Sequence, residues 1–108
     1  FPEDVRYRLD LSVVYTRMGN LDAAEKVLLK ALNIDPGNVD VLHALGLACH
    51  EHGDDKRAMF YLQKIAAYPT AKVQYSLGVV YWRLEQYRNA QRHLRRASEL
   101  WKRPCTPL

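Results

Sequence analysis

Three histidines, a cysteine and a glutamate lie close together near the middle of the sequence and are the residues best suited to bind a metal ion. They are His43, Cys49, His50, Glu51 and His52. His50 and His52 are two residues apart and diverge on a helix, while His43 is seven residues from His50, too far to share one ion without a bridging ligand. No H-E-x-x-H or C-x-x-C spacing is present. We therefore predict no metal site and no cysteine nucleophile here, and interpret these side chains as ordinary residues of a helix surface or of the core.

A run of arginines near the end of the chain is the second group that could do chemistry. Its members are Arg88, Arg92, Arg95, Arg96 and Arg103. Residues 71–104 hold eight Lys or Arg against two Glu, a net +6, although the whole chain carries only +4. Such a run could meet phosphates, an anionic membrane or an acidic partner, or could be a solvated helix face. We favour the solvated face and argue against nucleic-acid binding, because no nucleic-acid motif is present and Trp101 is the only nearby aromatic for stacking.

Length and composition limit the remaining classes. The 108 residues suit a single domain, 1–108, and no apolar run approaches the roughly 18 residues of a membrane span. Cys49 and Cys105 are interpreted as free thiols, since one belongs to a packed helix face and the other to a tail. Free thiols in so small a domain favour a reducing compartment, and thus the cytoplasm.

The elements that must position these residues are amphipathic helices that recur along the chain. Leu21–Asn38 is typical: its apolar residues fall on one helical face, Asn20 can cap its start, and Pro36 and Gly37 end it. One set of three residues recurs along the chain: a small residue, an alanine twelve positions later, and a leucine four positions after the alanine. The three occurrences of this set are Ser12, Ala24 and Leu28; Gly46, Ala58 and Leu62; and Gly78, Ala90 and Leu94.

This recurrence resembles the tetratricopeptide repeat family, whose unit is a helix-turn-helix of about 34 residues. The resemblance covers three repeats, at about 5–38, 39–70 and 71–104. It implies an all-α fold, a right-handed α-solenoid of six helices, in which each repeat contacts only its neighbours. The family's early tryptophan is replaced by Arg8, Leu42 and Gln74, and Asp55 stands where an apolar residue usually opens the second helix.

The turn signals predict where each helix begins and ends. We expect helices at about 5–18, 21–34, 39–52, 55–67, 71–84 and 87–101, with Asn38 capping the third and Thr70 the fifth, followed by an irregular tail with two prolines. Two antiparallel helices approach closely only where both carry small side chains, so we expect Gly46 to face Ala58 and Gly78 to face Ala90.

The resemblance further implies a concave wall made by the first helix of each repeat. The predicted partner-binding residues on this wall are Arg6, Leu9, Val13, Arg17, His43, Leu47, Lys72, Tyr75, Val79, Trp82 and Arg83. Family members that grip acidic chaperone tails use a polar clamp on the same wall. The corresponding positions here are Leu9, Val13, Ala44, Lys72 and Ser76. Because only Lys72 fits, we reject that activity.

We predict that the chain is a non-enzymatic protein-protein interaction module without a cofactor. Its partner would be a protein or peptide with apolar anchors and some acidic residues, held by Val13, Leu47, Tyr75 and Trp82 and guided by the basic wall residues. The alternative is structural self-association through the C-terminal repeat. Without a capping helix, a stripe of Ala90, Leu94, Ala97 and Trp101 would stay exposed and favour a homo-oligomer or further repeats.

Overall fold

In the computed structural model, residues 2–102 are described, and they form six α-helices joined by short turns. The helices are α1 (Pro2–Arg17), α2 (Leu21–Ile34), α3 (Val39–Glu51), α4 (Asp55–Gln63), α5 (Ala71–Arg83) and α6 (Tyr87–Lys102). Each helix packs on the next, and α3 also touches both α1 and α5. The all-α solenoid of three helix pairs is thereby confirmed. No helix in this part of the chain has the length and apolar character needed to cross a bilayer, and the predicted tail with Arg103, Pro104 and Cys105 lies outside the described residues.

Polar side chains fix the starts of four helices. The side-chain oxygens of Asn20, Asn38, Asp54 and Thr70 accept hydrogen bonds from the backbone N–H three residues further on. Each cap satisfies a donor that has no partner inside its helix and contributes about 1 kcal/mol. The caps at Asn20, Asn38 and Thr70 agree with the sequence prediction, and Asp54 is an additional one.

Close approach of the two helices within a repeat depends on glycine. A methyl group placed on Gly46 would lie 2.6 Å from Leu62 Cγ, and one on Gly78 would lie 2.5 Å from Leu94 Cγ. The leucine side chains are the nearest groups at both glycines, and the predicted neighbour Ala90 also lies close to Gly78, with its carbonyl oxygen 3.3 Å from the added methyl. Ala58 and Ala90 are both buried.

Helix α4 is shorter than predicted and ends at Gln63 instead of near Ala67. Pro69 keeps Tyr68 out of the helical conformation, and the intervening turns are held by bonds between residues three apart, such as Ile65 N–H to the Leu62 carbonyl (3.1 Å). The carbonyls of Ala66 and Tyr68 consequently lack helical donors.

Gln74, which replaces the family's tryptophan, binds both carbonyls, and Tyr68 O also accepts the backbone N–H of Thr70 (2.9 Å). Its fully buried side chain donates from Nε2 to Ala66 O (2.8 Å) and Tyr68 O (2.9 Å). Because Nε2 is used in this way, Oε1 must accept, and it receives the Nδ1–H of His93 on α6 (2.7 Å). A single amide thus joins the segment after α4 to both helices of the third repeat.

We predict that G46A destabilises the fold by about 1–3 kcal/mol, because the new methyl overlaps a branched carbon of a fully buried leucine. Chemical denaturation would measure the loss. The matched control is G37A, where an added methyl meets nothing within 4 Å. Equal stability of G46A and the unmodified chain would show that the two helices separate without cost.

A second prediction concerns Glu85, which has φ +61° at the turn between α5 and α6, where the earlier repeats place Gly19 and Gly53. A side chain in this left-handed region costs about 1–2 kcal/mol, partly offset by the unfolded-state entropy of glycine. We expect E85G to stabilise the protein by about 0.5–1 kcal/mol and G53A, the reverse change at an open site, to destabilise it. Thermal unfolding of the two variants would contradict this account if both shifted in the same direction.

Candidate functional site

The predicted concave wall comprises α1, α3 and α5, the first helices of the three repeats. The His43 imidazole on α3 and the Ser76 hydroxyl on α5 are linked by a hydrogen bond of 2.8 Å between Nε2 and Oγ. On the other side of α3, a cleft separates it from α1. The three helices therefore lie side by side.

The α1–α3 cleft has a volume of about 210 Å³ and a mainly apolar lining. The predicted anchors Val13 and Leu47 both line it, together with Ala44 and Ala48, and Arg17 and Glu51 are its charged residues. Val13 and Leu47 keep 51% and 37% of their surface exposed. The structure thus brings these two predicted anchors together at an accessible site.

Helix α5 presents two large aromatic side chains to solvent. Tyr75 and Trp82 are 56% and 58% exposed, and they lie two helical turns apart with the partly buried Val79 between them. The neighbouring positions Leu77, Val80 and Tyr81 are buried in the core. The exposed aromatics are therefore not needed to fill the interior.

Arg6 and Leu9 do not join the α1–α3 cleft. They line a separate depression between α1 and the start of α3, together with Ile34, Asp35 and Asp40. Leu9 also packs against the core. Arg6 pairs weakly with Asp10 one turn along (3.8 Å), where both side chains are mostly exposed.

Arg83 is held by an ion pair within the protein. Its Nε lies 3.6 Å from Oδ2 of Asp55, whose other oxygen contacts His50 Nδ1 at 2.6 Å. Asp55 therefore connects the end of α3, the start of α4 and the end of α5, which explains why a carboxylate occupies a usually apolar position. Arg83 is consequently engaged in this cluster, unlike Arg17 and Lys72, which have no ion-pair partner among the described residues.

His43 differs from the exposed wall residue that we predicted, since only 9% of its surface is accessible. Burial lowers its pKa, and the charge of Lys72 lowers it further, while Asp40 acts in the opposite direction. The neutral imidazole bonded to Ser76 is thus a link between two helices.

The other residues considered as metal ligands do not come together with His43 either. No group of three His, Cys, Asp or Glu side chains in the described part of the chain is placed to hold a metal ion. Burial raises the pKa of the Cys49 thiol to about 11. At neutral pH this cysteine is therefore an unreactive thiol.

The predicted apolar stripe on α6 is not exposed. Ala90 and Ala97 are buried and Leu94 is half-buried, since this face of α6 packs against α5. Trp101 alone remains open, 74% exposed near the end of the helix. The expectation of an uncovered C-terminal stripe is therefore wrong.

Sequence reasoning overlooked four residues that line the α1–α3 cleft. They are Ser12, Thr16, Leu28 and Ala48. Ala48 could have been found, because it lies one helical turn after Ala44, which was assigned to the wall.

The two buried histidines give a prediction about pH. Burial lowers the pKa of His93 as well, with Arg92 and Arg96 adding to the effect, so that both His43 and His93 bind protons more weakly folded than unfolded. Their contribution to stability is present above the unfolded pKa of about 6.5 and is lost as the pH falls below it. We expect the free energy of unfolding to fall between about pH 7 and 5, by at most about 1.4 kcal/mol per pH unit for each histidine.

The double variant H43N/H93N should flatten this slope in denaturation experiments, whereas N33A, at an exposed residue without a titratable side chain, should leave it unchanged. An unchanged slope in the double variant would rule out these two groups as its source.

Comparison with known proteins agrees with this architecture. The TPR repeat family matches residues 14–53, and the Tetratricopeptide repeat family matches residues 71–100. The TPR repeat-containing protein YpiA of Bacillus subtilis (strain 168) is 31% identical over 77 residues, which are 69% of this chain and 18% of YpiA.

Solved structures of MamA share the fold. The MamA AMB-1 structure matches 97% of this chain with a TM-score of 0.80 and 22% identity, and a second MamA crystal structure matches 93% with a TM-score of 0.82 and 26% identity. The chain spans 58% and 56% of these two proteins, and under a fifth of YpiA. With two matched repeat segments, a related repeat protein and the observed helix pairs in agreement, the chain belongs to the tetratricopeptide repeat family.

Proposed function

We propose that the chain is a non-enzymatic scaffold that binds a segment of a partner protein on its concave wall. Membership of the family supports a protein-protein interaction module, and the wall supplies the more specific proposal. The observation that carries it is the exposure of Tyr75 and Trp82 on one face of α5.

Folding leaves the rings of Tyr75 and Trp82 in contact with water, so the free energy of burying them can still be gained when a partner binds. An aromatic side chain gains about 2–3 kcal/mol when fully buried, and tyrosine and tryptophan are among the residues that most often dominate binding interfaces. The α1–α3 cleft adds Val13 and Leu47 on neighbouring helices of the same wall. A partner with apolar side chains at two or more positions could cover both groups.

Charge on the wall indicates the character of the partner. Arg17 lines the α1–α3 cleft and Lys72 is exposed on α5, and in the described part of the chain neither has a carboxylate partner. Acidic residues flanking the apolar anchors of a partner would meet these cations and increase the rate of association. We therefore propose a partner segment with apolar anchors and some acidic residues.

The stripe on α6 that was predicted to mediate self-association through the C-terminal repeat is mostly covered in the described part of the chain. The apolar face of α6 packs on α5, and the opposite face carries four arginines, which would repel their counterparts in a second copy.

The proposal predicts that Y75A/W82A abolishes partner capture while leaving the helical content unchanged. We expect the immobilised chain to retain specific proteins from an extract of its source cells, and the double variant to lose them, because the main apolar anchors are removed. Circular dichroism would establish that the variant is folded.

The matched control is F60A/W101A, which removes two similarly exposed rings, 60% and 74% accessible, from helices outside the concave wall. This control should retain the proteins that Y75A/W82A loses. Retention of the same set by the folded Y75A/W82A variant would eliminate binding through the concave wall.

A further inference from the structure

A third depression lies between α6 and the segment that follows α4, outside the concave wall. It has a volume of about 530 Å³, and its lining includes Arg88, Arg92, Arg95 and Arg96 along α6, with Pro69 on the opposite side. We call it the basic groove. The four arginines occupy one face of α6, because their spacing follows the three-and-four step of a helix.

The arginines of the basic groove are not neutralised within the protein. Several arginines elsewhere in the described part of the chain have nearby carboxylates, as in the pairs Arg8–Asp4, Arg57–Glu25 and Arg83–Asp55, although Arg17 does not. Among residues 2–102, none of the four groove arginines forms such a pair, and Arg92 makes only a 3.3 Å hydrogen bond to Asn89 Oδ1. Like charges one turn apart on a helix repel each other and destabilise it. A bound anion would relieve this repulsion.

The walls of the basic groove are held in place by buried contacts. Gln74 binds the carbonyls of Ala66 and Tyr68, directly before Pro69, and the same amide accepts a hydrogen bond from His93 on α6. His93 also stacks on Tyr81, with ring centroids 5.4 Å apart. The spacing between the two walls is thus set by the core, so that the groove is present before any ligand binds.

We propose that the basic groove binds an acidic segment of a second protein partner. Guanidinium groups bind carboxylates with paired, charge-assisted hydrogen bonds, and the groove offers four of them. From Arg88 to Arg96 the helix rises about 12 Å, which matches about four residues of an extended peptide. The groove ends at Glu99 and Leu100, where the peptide would carry an uncharged or apolar side chain.

The lining favours a peptide over a nucleic acid. A polynucleotide carries a phosphate at every step and would have to pass the Glu99 carboxylate, whereas a peptide can place a neutral residue there. Within the described residues 2–102, no aromatic ring lines the groove to stack on a base.

Binding of fluorescein-labelled hexaglutamate, followed by fluorescence anisotropy at about 50 mM salt, tests the proposal. We expect saturable binding that weakens by at least about tenfold in R92E/R95E, because two attractive contacts become repulsive. The neutral variant R92Q/R95Q should also bind more weakly, and it provides the test if charge reversal disturbs folding.

The matched control is K26E/K30E, which makes the same change in net charge on the exposed lysines of α2. Equal weakening by this control would overturn the proposal, since binding would then depend only on total charge. Labelled hexathymidylate serves as the competing class of ligand, and tighter binding of that oligonucleotide than of hexaglutamate would likewise overturn it. Y75A/W82A should bind hexaglutamate normally, so that failure of the concave wall and failure of the basic groove are distinguishable.

Discussion

The contact on which the rest of the structure depends is the seating of a leucine against a glycine where the two helices of a repeat cross. Leu62 at Gly46 and Leu94 at Gly78 leave no room for even a methyl group. This contact uses one face of each first helix and brings the helix axes close together. Stacking on the next repeat uses a second face, and a third face of α1, α3 and α5 carries exposed side chains such as Val13, Tyr75 and Trp82. His43 and Arg83 on the same helices do have structural roles, because they bond to Ser76 and Asp55. The exposed side chains of this face are therefore not needed to hold the helices together and remain accessible to a partner.

Much of the fold could be predicted from the sequence, because its main determinants are local. The caps at Asn20, Asn38 and Thr70 and the periodic apolar residues placed most helix ends within a few residues. The early end of α4 was missed, since it depends on Gln74, a residue beyond the helix that binds the released carbonyls. The strained turn at Glu85 was missed as well, because only the repeat geometry forces a non-glycine residue into that conformation.

The candidate site was less predictable, because whether a wall residue is available depends on partners distant in the sequence. Helical spacing placed Tyr75, Trp82, Val13 and Leu47 on one wall, and all four side chains are exposed, with Val13 and Leu47 lining the same cleft. It could not show that Asp55 engages Arg83, or that Ser76, 33 residues away, holds the buried His43. The apolar stripe on α6 was wrongly predicted to be exposed for a related reason. Helical spacing identifies an apolar face, but it cannot show whether that face packs against α5 within the same repeat or is left for a further repeat to cover.

The basic charge of the protein is concentrated on α6, beside the segment left by the shortened second repeat, 39–70. Helix α6 contains five basic residues and one acidic residue, a net +4 that equals the charge of the whole chain, so the remainder is neutral overall. This charge lies opposite the segment released by the shortened α4. The amide of Gln74 both stabilises that segment and fixes its position against α6 through His93. The second repeat, 39–70, is two residues shorter than the first, 5–38, and the hydrogen bonds of Gln74 hold the segment that follows its shortened helix. The basic groove lies between this segment and α6, the most basic helix in the described part of the chain.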